Sequence, residues 1–111
     1  SSMLRDLLGS VNKERVLVYL YARGQGYARE IARFFGCPLS PVQSALNALE
    51  SAGVLVSRQI GTSREYTFNP RYPARDELRA LIARAVDVYP PDLRQALLVT
   101  RSRPRRTGKP L

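Results

Sequence analysis

Histidine is missing from this 111-residue chain, and cysteine occurs once, at Cys37. The first absence removes the commonest general base and the commonest metal ligand. The second rules out an intrachain disulfide or a thiolate cluster. Cys37 lies in FFGCPL, between two helical patterns, where a small half-buried side chain is expected rather than a reactive thiol. The nucleophile-elbow, phosphate-loop and dinucleotide-binding glycine patterns are lacking too, and Gly24-Gln25-Gly26 is a lone turn. An enzyme is therefore not expected, nor is a metal or cofactor. No run approaches the roughly 18 to 20 apolar residues of a membrane helix. No secretory leader is visible, and Ser1-Ser2 before Met3 reads as an expression remnant. The expectation is a cytoplasmic protein with no membrane partner.

Carboxylates are also scarce. Nine Asp and Glu stand against eighteen Lys and Arg, a net charge of +9, and sixteen of the cations are Arg. Such a balance favours a polyanionic partner, nucleic acid first. The excess is uneven: residues 1–100 hold thirteen cations and nine carboxylates, whereas Arg101, Arg103, Arg105, Arg106 and Lys109 crowd the last eleven positions. That end, RSRPRRTGKPL, has too little apolar surface to build a core and reads as a flexible basic tail over 101–111.

The remaining length suits one modest core. Leu4, Leu7 and Leu8 begin a helical pattern. In NKERVLVYLYARG, Val16, Leu17, Leu20 and Tyr21 share a face, with Asn12 as the cap and Gly24 as the stop. YAREIARFFG gives a short helix ending at Gly36. SPVQ then supplies a helix start, with Ser40 as cap, Pro41 at the first helical position and Gln43 where a capping box is completed. Over 40–52, Val42, Ala45, Leu46 and Leu49 form the apolar face and Gly53 ends the helix. The period then shortens. VLVSRQI and REYTFN read as two strands of a hairpin over 54–69, joined by the loop Gly61-Thr62-Ser63. A last helix is expected over 74–88, and a short helical extension over 89–100 follows Pro90-Pro91.

This order predicts a mainly α fold with a small β-hairpin wing: a winged helix-turn-helix over 4–88. In such a fold the capped helix enters the DNA major groove. Its outward side carries Pro41, Gln43, Ser44 and Asn47, of which Gln and Asn pair bidentately with adenine. Arg29, Arg33, Arg58, Thr62, Ser63 and Arg64 are the candidates for the backbone or minor groove. Each has a plainer reading beside it: a solvated helix face for Gln43, Ser44 and Asn47, and a cross-strand partner of Glu65 for the hairpin arginines. Tyr27, Tyr66 and Phe68 are expected in the core.

The motifs REIAR (Arg29 to Arg33), LE-x-AG (Leu49 to Gly53), Y-x-x-N-P (Tyr66 to Pro70), EL-x-x-L (Glu77 to Leu81) and DLRQAL (Asp92 to Leu97) occur in that order. Together they resemble the winged-helix region of ArsR-like transcriptional regulators. The resemblance is strongest to bacterial and archaeal regulators whose winged helix precedes a minimal nucleotidyltransferase domain. It implies duplex DNA binding, transcriptional regulation and a homodimer. Neither the transferase's Gly-Ser motif and paired aspartates nor the cysteine-rich metal-sensing helix of other ArsR-like repressors is found here. Nucleotidyl transfer and metal sensing are accordingly not expected.

For the dimer, Leu4, Leu7 and Leu8, with Leu78, Leu81, Ile82 and Ala85, offer more apolar surface than a small core needs. An alternative from another class is a protein-interaction adaptor, its capped helix set against a separately encoded subunit. RNA association, favoured by the tail, is a third.

Overall fold

The computed structural model describes residues 3–99, with side chains from Leu4 to Leu98. In chain order these residues form α1 (Met3–Leu8), α2 (Val11–Arg23), β1 (Gly26–Tyr27), α3 (Ala28–Phe35), α4 (Leu39–Ser51), β2 (Leu55–Ile60), β3 (Ser63–Phe68), α5 (Arg75–Asp87) and α6 (Pro91–Val99). The architecture is mainly helical with one small antiparallel sheet, ordered β1-β3-β2. The basic tail from Arg101 to Lys109 lies outside the described residues.

The core is built around α2. Its cap is Ser10, two residues before the expected Asn12: the Ser10 hydroxyl accepts the Lys13 amide at 3.1 Å. Asn12 instead accepts from Arg15 Nη1 at 3.1 Å. Val16 to Leu20 are buried without interruption, so α2 has no single apolar face. A helix covered on every side belongs at the centre, and α1, α4, α5 and α6 all pack on it.

The two helices after it end on left-handed glycines. At Gly36 (φ 63) the Gly36 and Cys37 amides close back on the carbonyls of Arg33 and Ala32. At Gly53 (φ 85) the Gly53 amide donates to Glu50 O and the Val54 amide to Leu49 O, both at 3.0 Å. Leu49 and Val54 are buried together, the apolar contact that accompanies this paired closure. The start of α4 is a correction. The helix begins at Leu39 after an extended Pro38, so Ser40 sits inside the first turn and no side chain caps it. Pro41 fits there because amides of the first turn have no intrahelical partner to lose.

In the hairpin, Ile60 pairs with Ser63, leaving a two-residue loop, Gly61-Thr62, in place of the expected three. Gly61 has φ 62, as the tight hairpin turns require. The third strand, β1, was not expected: Gly26 pairs with Tyr66 and Tyr27 with Glu65.

The C-terminal helices complete the same core. Ile82 and Ala85 on α5 and Leu4 on α1 are fully buried within the chain, so they are unavailable as dimer contacts, contrary to expectation. Leu7 is exposed, while Leu8, Leu78 and Leu81 are half-buried. After Pro90, α6 (Pro91–Val99) is the short helix at this end, and its Leu97 is fully buried in the common core. Arg23 fixes α6 there: its Nε donates to Leu97 O at 2.9 Å, and its guanidinium stacks over the rings of Tyr19 and Phe34.

Candidate nucleic-acid interface

Helical period decides what α4 presents. Val42, Ala45, Leu46 and Leu49 are buried, which turns Pro41, Gln43, Ser44 and Asn47 outward, all exposed. Gln43 and Asn47 are one turn apart and face the hairpin. Between them and it lies an open cleft of about 510 Å³, lined by Tyr27, Ala28, Arg29, Gln43, Asn47, Gln59, Thr62, Ser63, Arg64 and Tyr66. Six of the ten residues expected to touch DNA by α3, α4 and the hairpin therefore line one surface. Two of the lining residues are arginines and none is a carboxylate.

Arg29 is held at the first turn of α3, whose start is fixed by the Tyr27 amide donating to Glu30 Oε1 at 3.3 Å. Arg33, one turn further along, is exposed but does not line the cleft. Among the described residues neither Arg29 nor Arg33 has an ion-pair partner.

The hairpin separates the other two arginines. Arg58 pairs with Glu65 and Gln59 with Arg64, so Arg58 and Arg64 stand on opposite faces. A three-residue loop would have put them on the same face; the shorter loop moves β3 by one register position and reverses Arg64. Arg58 Nε reaches Glu65 Oε1 at 3.3 Å on the face away from the cleft. Arg64 faces α4, where its Nη1 donates to Ser57 Oγ at 3.0 Å, and Ser57 in turn donates to Glu50 Oε2 at 2.7 Å.

Four residues of the cleft are not among the expected site residues: Tyr27, Ala28, Gln59 and Tyr66. Gln59 follows from the register, and its Nε2 donates to Gly61 O at 3.3 Å, across the loop. Tyr27 enters with β1. Tyr66 is buried, as expected of a core residue, yet its hydroxyl reaches the cleft and donates to Asn47 Oδ1 at 3.4 Å. Burial raises the Tyr66 pKa above its ordinary value, as does the charge of Glu50, against an opposing effect of Arg64. The only sequence signal for this contact is the alternation that places Tyr66 on the face of Ser57, and it becomes readable only once the register is known.

The face beyond the hairpin is different in kind. Val56 and Ile60 are partly exposed there beside the Arg58–Glu65 pair. Among the described residues no helix is long and apolar enough to cross a membrane. Compared with models of protein families, with curated proteins and with solved structures, the chain matches none.

Proposed function

We propose that this chain is a winged helix-turn-helix protein that binds duplex DNA sequence-specifically and regulates transcription. In this reading α4 lies in the major groove and the β2–β3 hairpin is the wing. The observation that carries it is the cleft between α4 and the hairpin. A helix in one groove and a hairpin tip in the next must straddle a sugar–phosphate strand, and a concave surface with two arginines and no carboxylate is suited to hold one. The ordered motifs that resemble ArsR-like regulators agree with this assignment. The chain's net charge of +9 agrees as well.

Gln43, Ser44 and Asn47 contact base edges, Arg29 and Arg64 contact phosphates, and Thr62 and Ser63 form the wing tip. A two-fold dimer would bury Leu7 with the half-buried Leu8, Leu78 and Leu81. It would read half-sites about 10 bp apart or a multiple of that.

The test is selection of bound sequences from a random duplex pool at physiological salt. Enrichment of a two-fold symmetric motif is expected. Salt-sensitive retention without a motif would reduce the claim to a basic surface and overturn sequence-specific binding.

A further inference from the structure

In the cleft, the Asn47 amide is held in one orientation by a hydrogen bond from Tyr66. Asn47 carries an acceptor, Oδ1, and a two-proton donor, Nδ2. Oδ1 is turned inward and accepts from Tyr66 Oη at 3.4 Å. Among the described residues nothing accepts from Nδ2. Asn47 is exposed on α4 and lines the open cleft, which leaves Nδ2 available to a ligand held there.

The arrangement has a structural reason. Tyr66 is buried at 6% exposure, and its hydroxyl needs a partner. The nearby carboxylate of Glu50 already accepts from Ser57, which Arg64 holds from the other side. The acceptor that the Tyr66 hydroxyl uses is Asn47 Oδ1. A tyrosine phenol, ordinarily titrating near 10 and here raised by burial, is protonated at neutral pH and able to donate.

We infer that Tyr66 is a specificity-determining positioning residue: by holding Asn47 Oδ1 inward, it makes Asn47 a reader of guanine rather than adenine. Adenine offers an acceptor (N7) beside a donor (N6–H), and bidentate pairing needs both ends of the amide. Guanine offers two acceptors, N7 and O6, which suit a side chain presenting only N–H groups. The inference rests on the DNA-binding reading and corrects its expectation that Asn47 pairs with adenine.

Motif selection is run on the wild type, Asn47→Ala and Tyr66→Phe, followed by affinity measurements on duplexes that differ only at the affected base pair. Asn47→Ala should flatten the preference at one position per half-site and so identify it. The wild type should favour guanine there. Tyr66→Phe keeps the buried ring and frees Oδ1, and it should shift that position toward adenine by about fivefold or more in relative affinity. The other positions should stay unchanged, which a general loss of structure would not do.

Any other base preferred by the wild type at that position overturns the inference and leaves the DNA-binding reading standing, even if Tyr66→Phe fails to fold. So does an unchanged preference in Tyr66→Phe, or an Asn47→Ala that loses affinity equally for all sequences, the mark of a phosphate contact. Absence of any motif with the wild type overturns the DNA-binding reading itself, and the inference with it.

Discussion

Arg58 and Arg64 have the same chemistry and stand six positions apart, but strand register gives them different surroundings. Arg64 projects into the cleft, anchored by Ser57, while Arg58 meets Glu65 on the opposite face. Arg64→Ala should therefore weaken binding to every duplex. It should also lower the slope of log K against log salt by about one, as for a single lost phosphate contact. Arg58→Ala should change that slope much less, because an exposed ion pair contributes little and faces away from the strand. Fluorescence anisotropy across a salt series compares the two directly, and equal effects would remove the distinction between the faces. Glu14 is 2% exposed, and among the described residues its Oε2 has no hydrogen-bond partner. Burial raises its pKa above the ordinary value, against the lowering effects of the Tyr89 hydroxyl and of Arg5 and Arg15. The folded state thus binds this proton more tightly than the unfolded chain does. The resulting stabilisation is complete below the unfolded pKa near 4.5 and is lost as pH rises through the folded value. Glu14→Gln keeps the shape without the charge. It should flatten that pH dependence and raise stability at pH 7 by on the order of 1 kcal/mol. Melting curves of both proteins from pH 4 to pH 8 check the sign.

At the scale of elements, the two-residue strand β1 places the start of α3 against the hairpin. Gly26 is what allows this: a Cβ at that position would lie 2.9 Å from Tyr19 Cε1 and 3.3 Å from Leu20 Cδ2. Gly26→Ala should destabilise the fold by about 1–3 kcal/mol through overpacking. It should also weaken DNA binding by displacing Arg29, and denaturant unfolding alongside the binding assay separates the two effects. The strand itself was not legible in the sequence, since two residues carry no alternation and their partners, Tyr66 and Glu65, lie 40 and 38 positions away. What was legible is local chemistry. Gly24, Gly36 and Gly53 stop their helices, and the spacing of Val42, Ala45, Leu46 and Leu49 fixes which side of α4 faces outward. What was not legible depends on counting exactly one residue in the right place. The hairpin loop is such a case: two residues rather than three set Arg58 and Arg64 on opposite faces and bring Gln59 into the cleft. Apolar stripes have a further ambiguity. Leu4, Ile82 and Ala85 look the same in sequence whether another copy covers them or α2 does, and here the chain covers them itself.

For the whole molecule, the distribution of charge sets how affinity and specificity divide. Residues 1–100 carry a net +4, and the remaining +5 comes from Arg101, Arg103, Arg105, Arg106 and Lys109. A base-reading surface and a basic segment contribute differently. Each phosphate neutralised by a cation releases about 0.9 counterion, an effect independent of sequence. Base contacts carry the preference for one site over another. Specificity in this reading belongs to α4 and the adjoining face of the hairpin, which lie wholly within the described residues. Deleting residues 101–111 should consequently reduce the slope of log K against log salt by up to about 4.5, if all five cations reach phosphates. The selected motif should be the same with and without the segment. Loss of affinity should be greatest at low salt and should apply to specific and scrambled duplexes alike, so the ratio of the two affinities is preserved. A salt titration on both duplexes, with the full chain and the truncated one, measures that ratio. If the ratio fell as well, the basic segment would be reading sequence or groove shape, and the division of labour between α4 and the chain's C-terminal charges would have to be redrawn.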